Sequence, residues 1–293
     1  MGISVSEFLS DLKLRGQIQS NQRVFADADL LTIANREIRM VIVPKILSLR
    51  ERYFSGYKDY TISSKRRYRL PPRCAGGRVF DIKIYPDGLA NPTTEYSLKQ
   101  NHPSDIDRGQ AGFYIDGDDI VLNSGQDATG AMRVFYPIRP PLMVASPAVS
   151  TTISSVSGVL VTMASPPVAG TYECIRNSNG NTTITPSLVS PAGSVAADTD
   201  DLSGDTTERF AYGDIVCTSG QTPNVPLPDE LTDWLSQRTL MRYLEILGHA
   251  DEVALAGAKL QDIEKDAMAF LSPRIENEEK YVADKETLGW RMW

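Results

Sequence analysis

Asp116, Asp118 and Asp119 surround Gly117 in a spacing that matches the opening of a calcium loop, whose carboxylates ligate a hard cation. The ligand ladder then fails, because Asp127 stands where a bidentate glutamate is needed. Asp-Gly between Tyr114-Ile115 and Ile120-Val121-Leu122 is also the chemistry of a tight hairpin turn, and that reading is taken. The two histidines, His102 and His249, have no second histidine or cysteine near them, so zinc would need ligands gathered from across the chain. Cys74, Cys174 and Cys217 are odd in number and widely spaced, which reads as three small buried or half-buried residues in a reducing compartment. No phosphate-cradling glycine motif, nucleophile elbow or His-Glu-x-x-His occurs. Carboxylates are plentiful, but nothing singles out a pair for acid–base work. The expectation is a protein without catalytic residues, metal or cofactor.

Charge placement says more than charge total. The 293 residues carry 30 basic and 37 acidic side chains, a net charge of −7, which argues against a dedicated binder of nucleic-acid backbones. Residues 48–83 hold ten basic side chains against three acidic ones, Glu51, Asp59 and Asp81. Residues 198–233 reverse this, with nine acidic side chains and one basic, Arg209. Segments of opposite sign can steer head-to-tail association of identical subunits. The candidate subunit-interface residues are therefore Lys65, Arg66 and Arg67 on one side and Asp229, Glu230 and Asp233 on the other. Trp290, Arg291, Met292 and Trp293 are of the types enriched in interface anchors and form a candidate partner-binding segment. No apolar run approaches the ~18–20 residues of a membrane span, and Met1 to Glu7 lacks the pattern of a secretory signal.

Helices are expected at both ends of the chain. Ser4-x-x-Glu7 is a capping box, followed by Phe8, Leu9 and Leu12 and stopped by Gly16. Asp27 is expected to cap a second helix whose stripe runs Leu30, Leu31, Ala34, Ile38, Val41 and Ile42. Pro44 should kink or split it before it ends near residue 54. After Pro226-Leu227-Pro228, Leu231, Trp234, Leu235, Leu240, Met241, Leu244 and Leu247 mark a third helix, and Gly248 ends it. Asp251 opens a fourth, carrying Val253, Leu255, Ala256, Leu260, Ile263, Ala267 and Phe270. The residues between alternate apolar and polar side chains with Gly, Pro and Asn turns, the signature of antiparallel strands, at 57–62, 79–85, 112–115, 120–122 and 132–136. Further strands are expected at 153–163, 170–175, 182–184 and 214–218, with 191–205 read as a loop.

Neither terminal helical half can bury its stripe alone, so the expected fold is α+β: one helical core formed by N- and C-terminal helices, with β-rich regions projecting from it. The expected divisions are 1–56 and 226–272 for the core, 57–141 for a β-rich region, 142–225 for an inserted small all-β module, and 273–293 for an extended tail.

Two blocks carry a family resemblance. One is Asp29-Leu30-Leu31-Thr32-Ile33-Ala34-Asn35-Arg36-Glu37-Ile38, continuing through Pro44 to Tyr68-Arg69-Leu70-Pro71. The other is Leu227-Pro228-Asp229-Glu230-Leu231 leading into Arg238, Arg242 and Leu247-Gly248, then an alanine-rich helix. In these, about 130 of 293 residues, the chain resembles the head-to-tail adaptor (connector) proteins of tailed bacteriophages, especially short-tailed ones. The resemblance implies a structural virion protein made in the host cytoplasm, without catalytic residues. It implies a homo-oligomeric ring, usually of twelve copies, beneath the portal protein, with the C-terminal segment reaching along the portal. Tail nozzle or tube and tail fibre proteins would be further partners, and genomic DNA would pass through without specific binding. The alternatives are another tail component, such as a baseplate or fibre-attachment protein, and then a cell-wall-degrading enzyme. The large insertion at 142–225 departs from the smaller members of the family.

Overall fold

Ser4 and Glu7 make the reciprocal capping box: the Glu7 N–H donates to Ser4 Oγ at 3.2 Å and the Ser4 N–H to the Glu7 carboxylate at 2.9 Å. In this computed structural model, which describes residues 2–18, 25–63, 65–89, 93–102, 112–123, 130–147, 150–157, 160–165, 168–176, 183–190, 195–198 and 210–272, that cap opens α1 (Val5–Arg15). α2 (Asp27–Glu37) starts on Asp27 itself, the residue expected to cap it, so its cap lies one residue earlier. Ala26 is the N-cap, and the carboxylate that answers its N–H is Asp29, at 2.9 Å, instead of Asp27.

Pro44 neither breaks nor ends the helix that follows. Its ring would strike the carbonyl four residues back, and it has no N–H to give. The chain answers with a π turn at Ile38–Ile42, where the Val43 N–H reaches back to the Ile38 carbonyl, and α3 (Val43–Leu49) continues with proline in its first turn. The rod ends at Leu49, short of the expected residue 54. α4 (Asp229–Leu247) ends on Gly248 in the left-handed region, φ 77°, and α5 (Ala250–Leu271) follows at once as its antiparallel partner.

These helices share one apolar core. Phe8 and Leu12 of α1, Leu30, Ile38 and Ile46 of the rod, Trp234 and Tyr243 of α4 and Leu260 and Leu271 of α5 all belong to it. The backbone also joins the distant segments: the Val5 N–H donates to the Pro223 carbonyl at 2.7 Å and the Val225 N–H to the Ile3 carbonyl at 2.9 Å.

The first β unit is a two-sheet sandwich. Its strands are β1 (Ser55–Ile62), β2 (Arg67–Arg69), β3 (Asp81–Tyr85), β4 (Tyr96–Ser97), β5 (Lys99–Gln100), β6 (Gly112–Asp116), β7 (Asp119–Asn123) and β8 (Gly130–Pro137). They form two four-stranded sheets of order β1-β8-β3-β4 and β2-β7-β6-β5. Ile62, Ile82, Ile84, Met132 and Val134 from one sheet meet Tyr68, Phe113, Ile120 and Leu122 from the other. The hairpin between β6 and β7 turns on Gly117 at φ 61°, which only glycine adopts cheaply.

β9 (Leu142–Met143) pairs in parallel with β16 (Gln221–Thr222), so the segments flanking the second unit lie side by side. That unit is a closed barrel of β10 (Ser150–Ser157), β11 (Leu160–Met163), β12 (Gly170–Arg176), β13 (Thr183–Ser190), β14 (Val195–Asp198) and β15 (Ile215–Thr218). The stretch 153–163 is a hairpin of two strands. The segment 191–205, read from sequence as a loop, contains β14, which the barrel needs between β11 and β13 for closure. Ile153, Val161, Tyr172, Leu188 and Val216 fill its interior.

Candidate functional site: charged and apolar faces of the helical body

α4 is the central helix of the body. Its buried side takes the apolar residues expected from the sequence at Leu231, Trp234, Leu235, Leu240 and Leu244, but also Thr232, Ser236, Gln237, Arg238 and Thr239. A helix enclosed on several sides satisfies most such polar atoms internally, although Gln237 Oε1 and Trp234 Nε1 are buried without a hydrogen-bond partner. Gln237 Nε2 donates to the Ala256 carbonyl at 3.0 Å, Thr239 Oγ1 to the Leu235 carbonyl at 2.8 Å, and Ser236 Oγ to an Asp11 oxygen at 3.3 Å.

Arg238 joins a charge network that spans four helices, α2 to α5. Its Nε donates to Glu37 of α2 at 2.8 Å, and Arg242 Nε reaches the other Glu37 oxygen at 3.1 Å. Arg238 Nη1 lies 3.8 Å from Glu264 of α5, which also receives Lys45 of α3. Partial burial, with the Arg238 charge adding to it, holds the Lys45 ammonium pKa below its ordinary value. Glu37 is a site the sequence reading passed over. It stands three residues after Ala34 and seven after Leu30, on the apolar stripe itself, and an acid there signals a buried cation.

The six expected interface residues are dispersed. Lys65 and Arg66 are exposed just before β2, an edge strand of the sandwich. Arg67 has partners within the chain: Asp116 at 2.8 Å and Asp119 at 3.6 Å, two of the aspartates of the calcium-like turn. Asp229 is half-buried at the start of α4, while Glu230 and Asp233 are exposed. Asp233 receives Arg15 Nη2 of α1 at 2.5 Å. The structure therefore leaves Lys65, Arg66 and Glu230 as the outward-facing charges of the set, and engages Arg67 and Asp233 internally. Trp290, Arg291, Met292 and Trp293 lie outside the described residues.

The helical body also presents apolar side chains to solvent. Leu14 of α1 is 80% exposed, Met40 of the π turn 70% and Leu255 of α5 75%, with Ile246 and Phe270 also exposed. α5 buries only Ala256, Leu260, Ala267 and Leu271, one narrow stripe, so most of its surface is available.

Two of the thiols, Cys74 and Cys217, are held in the protonated form. Burial, its dominant cause, pushes Cys217 from 9.0 to about 11, with the nearby Glu173 charge acting in the same direction. Burial likewise raises Cys74 to about 11. At pH 8 the thiolate fraction of Cys217 is then roughly a hundredfold below that of an ordinary thiol. Iodoacetamide should label Cys74 and Cys217 roughly a hundredfold more slowly in the folded protein than in urea, as read by intact mass. Rapid labelling of the native chain would show these sites to be open.

Among the described residues, no group of three or more His, Cys, Asp or Glu side chains is placed to hold a metal ion. No helix among them is long and apolar enough to cross a membrane. No protein-family model and no curated protein matches the sequence.

Proposed function

We propose that the chain is a structural adaptor, a subunit of a ring that joins the portal of a phage capsid to its tail and surrounds the DNA channel. The observation that supports this reading best is the construction of the helical body: the helical stretches of both resemblance blocks, from Asp29 and from Leu227, fold into it while Tyr68–Pro71 belongs to the sandwich, and it leaves Leu14, Met40, Ile246 and Leu255 uncovered. Apolar side chains on a body of this kind are material for heterologous contacts, which close into a ring when the rotation between subunits is right. In this reading the sandwich and barrel project toward tail components. The net charge of −7 per subunit, repeated round a ring, keeps a passing polyanion from sticking. Trp290 to Trp293 dock on the portal, and the protein resides at the head–tail interface of the virion.

Negative-stain microscopy of the purified chain with and without portal tests this. Rings seated on the portal, twelve-fold in the usual arrangement, are the expected result. Failure to bind any portal-bearing capsid overturns it. A chain that binds isolated fibres through its barrel instead is a fibre-attachment component. Lys65→Glu with Arg66→Glu should weaken ring formation and shift its salt dependence, because these cations face outward. Arg67 is omitted because it holds the turn at Asp116 and Asp119. Ring formation unchanged by the double reversal removes the charged segments from the assembly mechanism.

A further inference from the structure

A groove of about 620 Å³ lies between α2 and residues 142–146, floored by Leu31, Met143 and Val144 and bounded by Arg36 and Arg39. Asn35 fixes its inner wall: its Oδ1 accepts the Met143 N–H at 2.8 Å and its Nδ2 donates to the Met143 carbonyl at 3.0 Å. The cationic edge is crowded. Burial disfavours the charge on Arg39, and the nearby guanidiniums of Arg73 and Arg139 add to the cost. Arg73 already has Glu173 as its counter-ion. An apolar floor beside an excess of guanidinium fits a peptide that carries both apolar side chains and carboxylates.

Such a peptide leaves the helical body nearby. The described chain ends at Ser272, and Arg50 holds that end: its Nε donates to the Leu271 carbonyl at 2.6 Å and its Nη2 to the Ser272 carbonyl at 3.3 Å. Arg50 caps the same rod that carries Arg36 and Arg39. Along a helix at about 1.5 Å per residue, Arg39 is roughly 16 Å away and Arg36 roughly 21 Å. About seven extended residues cover that distance. The residues that follow include Ile275-Glu276-Asn277-Glu278-Glu279-Lys280-Tyr281-Val282, in which three glutamates and one lysine lie between Ile275 and Tyr281-Val282.

We propose that residues 275–282 dock in cis in this groove, with the glutamates beside Arg36 and Arg39 and apolar side chains on the Leu31–Met143 floor. The segment is then held on its own subunit, and a partner that takes the chain beyond Ser272 must first displace it. The inference does not depend on that partner being a portal.

The test uses the full chain with Tyr281 replaced by a photo-crosslinking phenylalanine analogue. Irradiation should give cross-links within one chain to residues near Leu31 and Met143, at a yield independent of protein concentration. Arg36→Glu with Arg39→Glu should reduce that yield about fivefold, and so should Glu276→Lys, Glu278→Lys and Glu279→Lys, which leave the helical body untouched. Combining the two sets should restore it. Circular dichroism checks that the arginine variant is folded; if it is not, the glutamate variant alone decides. Cross-links confined to other surfaces, cross-links only between chains, or a yield indifferent to the glutamate variant each overturn the proposal.

Discussion

Replacing Glu37 with alanine is expected to lower the stability of the helical body by about 3–5 kcal/mol. The loss arises from what remains behind. Arg238 is 8% exposed, and without Glu37 its nearest carboxylate is Glu264 at 3.8 Å, already engaged by Lys45. A guanidinium held away from water without a hydrogen-bonded counter-ion carries most of its desolvation cost uncompensated. Arg242 suffers less, since its side chain is 45% exposed and keeps Glu245 at 2.6 Å. Glu37 and Arg238 are 201 positions apart in sequence, so the pair fastens α2 to α4 across the whole β excursion. Removing both charges, as Glu37→Leu with Arg238→Met, should bring stability back to within about 2 kcal/mol of the parent. Urea unfolding followed by circular dichroism measures both. A single substitution costing less than about 1 kcal/mol would place Arg238 in a wetter site than its burial indicates.

The second large effect is expected at Glu173. This residue of β12 is fully buried, and its partners come from outside its strand: Arg73, in the chain between β2 and β3, and Ser219 Oγ at 2.9 Å. Arg73 is itself held in the left-handed region at φ 62°, with Nε donating to the Arg139 carbonyl at 2.9 Å. One charged pair thus ties the barrel to the sandwich. Glu173→Ala should cost about 3–5 kcal/mol locally, and amide exchange in β12 and β15 should accelerate by roughly a hundredfold or more. Exchange in α4 and α5 should stay unchanged, because their core includes no barrel residue. Equal acceleration in both regions would mean that barrel and helices open as one unit.

How much of this was readable beforehand depended on how local the cause is. The Ser4–Glu7 capping box, the Gly248 stop and the apolar stripes of α2 and α4 rest on contacts within a turn or two, and they stand where the sequence puts them. Pairing of α1 to α3 with α4 and α5 followed from stripes that needed covering. The π turn was hidden because the signal, Pro44, says that a normal helix is disallowed without saying which repair is used. β14 was hidden because Val-Ala-Ala-Asp has little periodicity, and its place depends on barrel closure. The two-residue strands β4, β5, β9 and β16 are too short to carry a pattern at all. Of the candidate surfaces, charge sign was legible but not availability. Nothing near Arg67 or Asp233 in sequence announces Asp116 or Arg15 as a partner.

The widened turn ahead of Pro44 has a geometric corollary. Each residue of an ordinary α-helix advances the side-chain direction by about 100°, so one surplus residue re-phases everything downstream. Glu37, before the turn, faces α4, whereas Lys45 and Arg50, after it, address α5 at Glu264 and Leu271. Shortening that turn by one residue would restore a uniform pitch and swing Lys45 and Arg50 off α5 by about 100°. Which face the rod turns toward α5 is therefore set by a residue count as well as by the side chains that stand there.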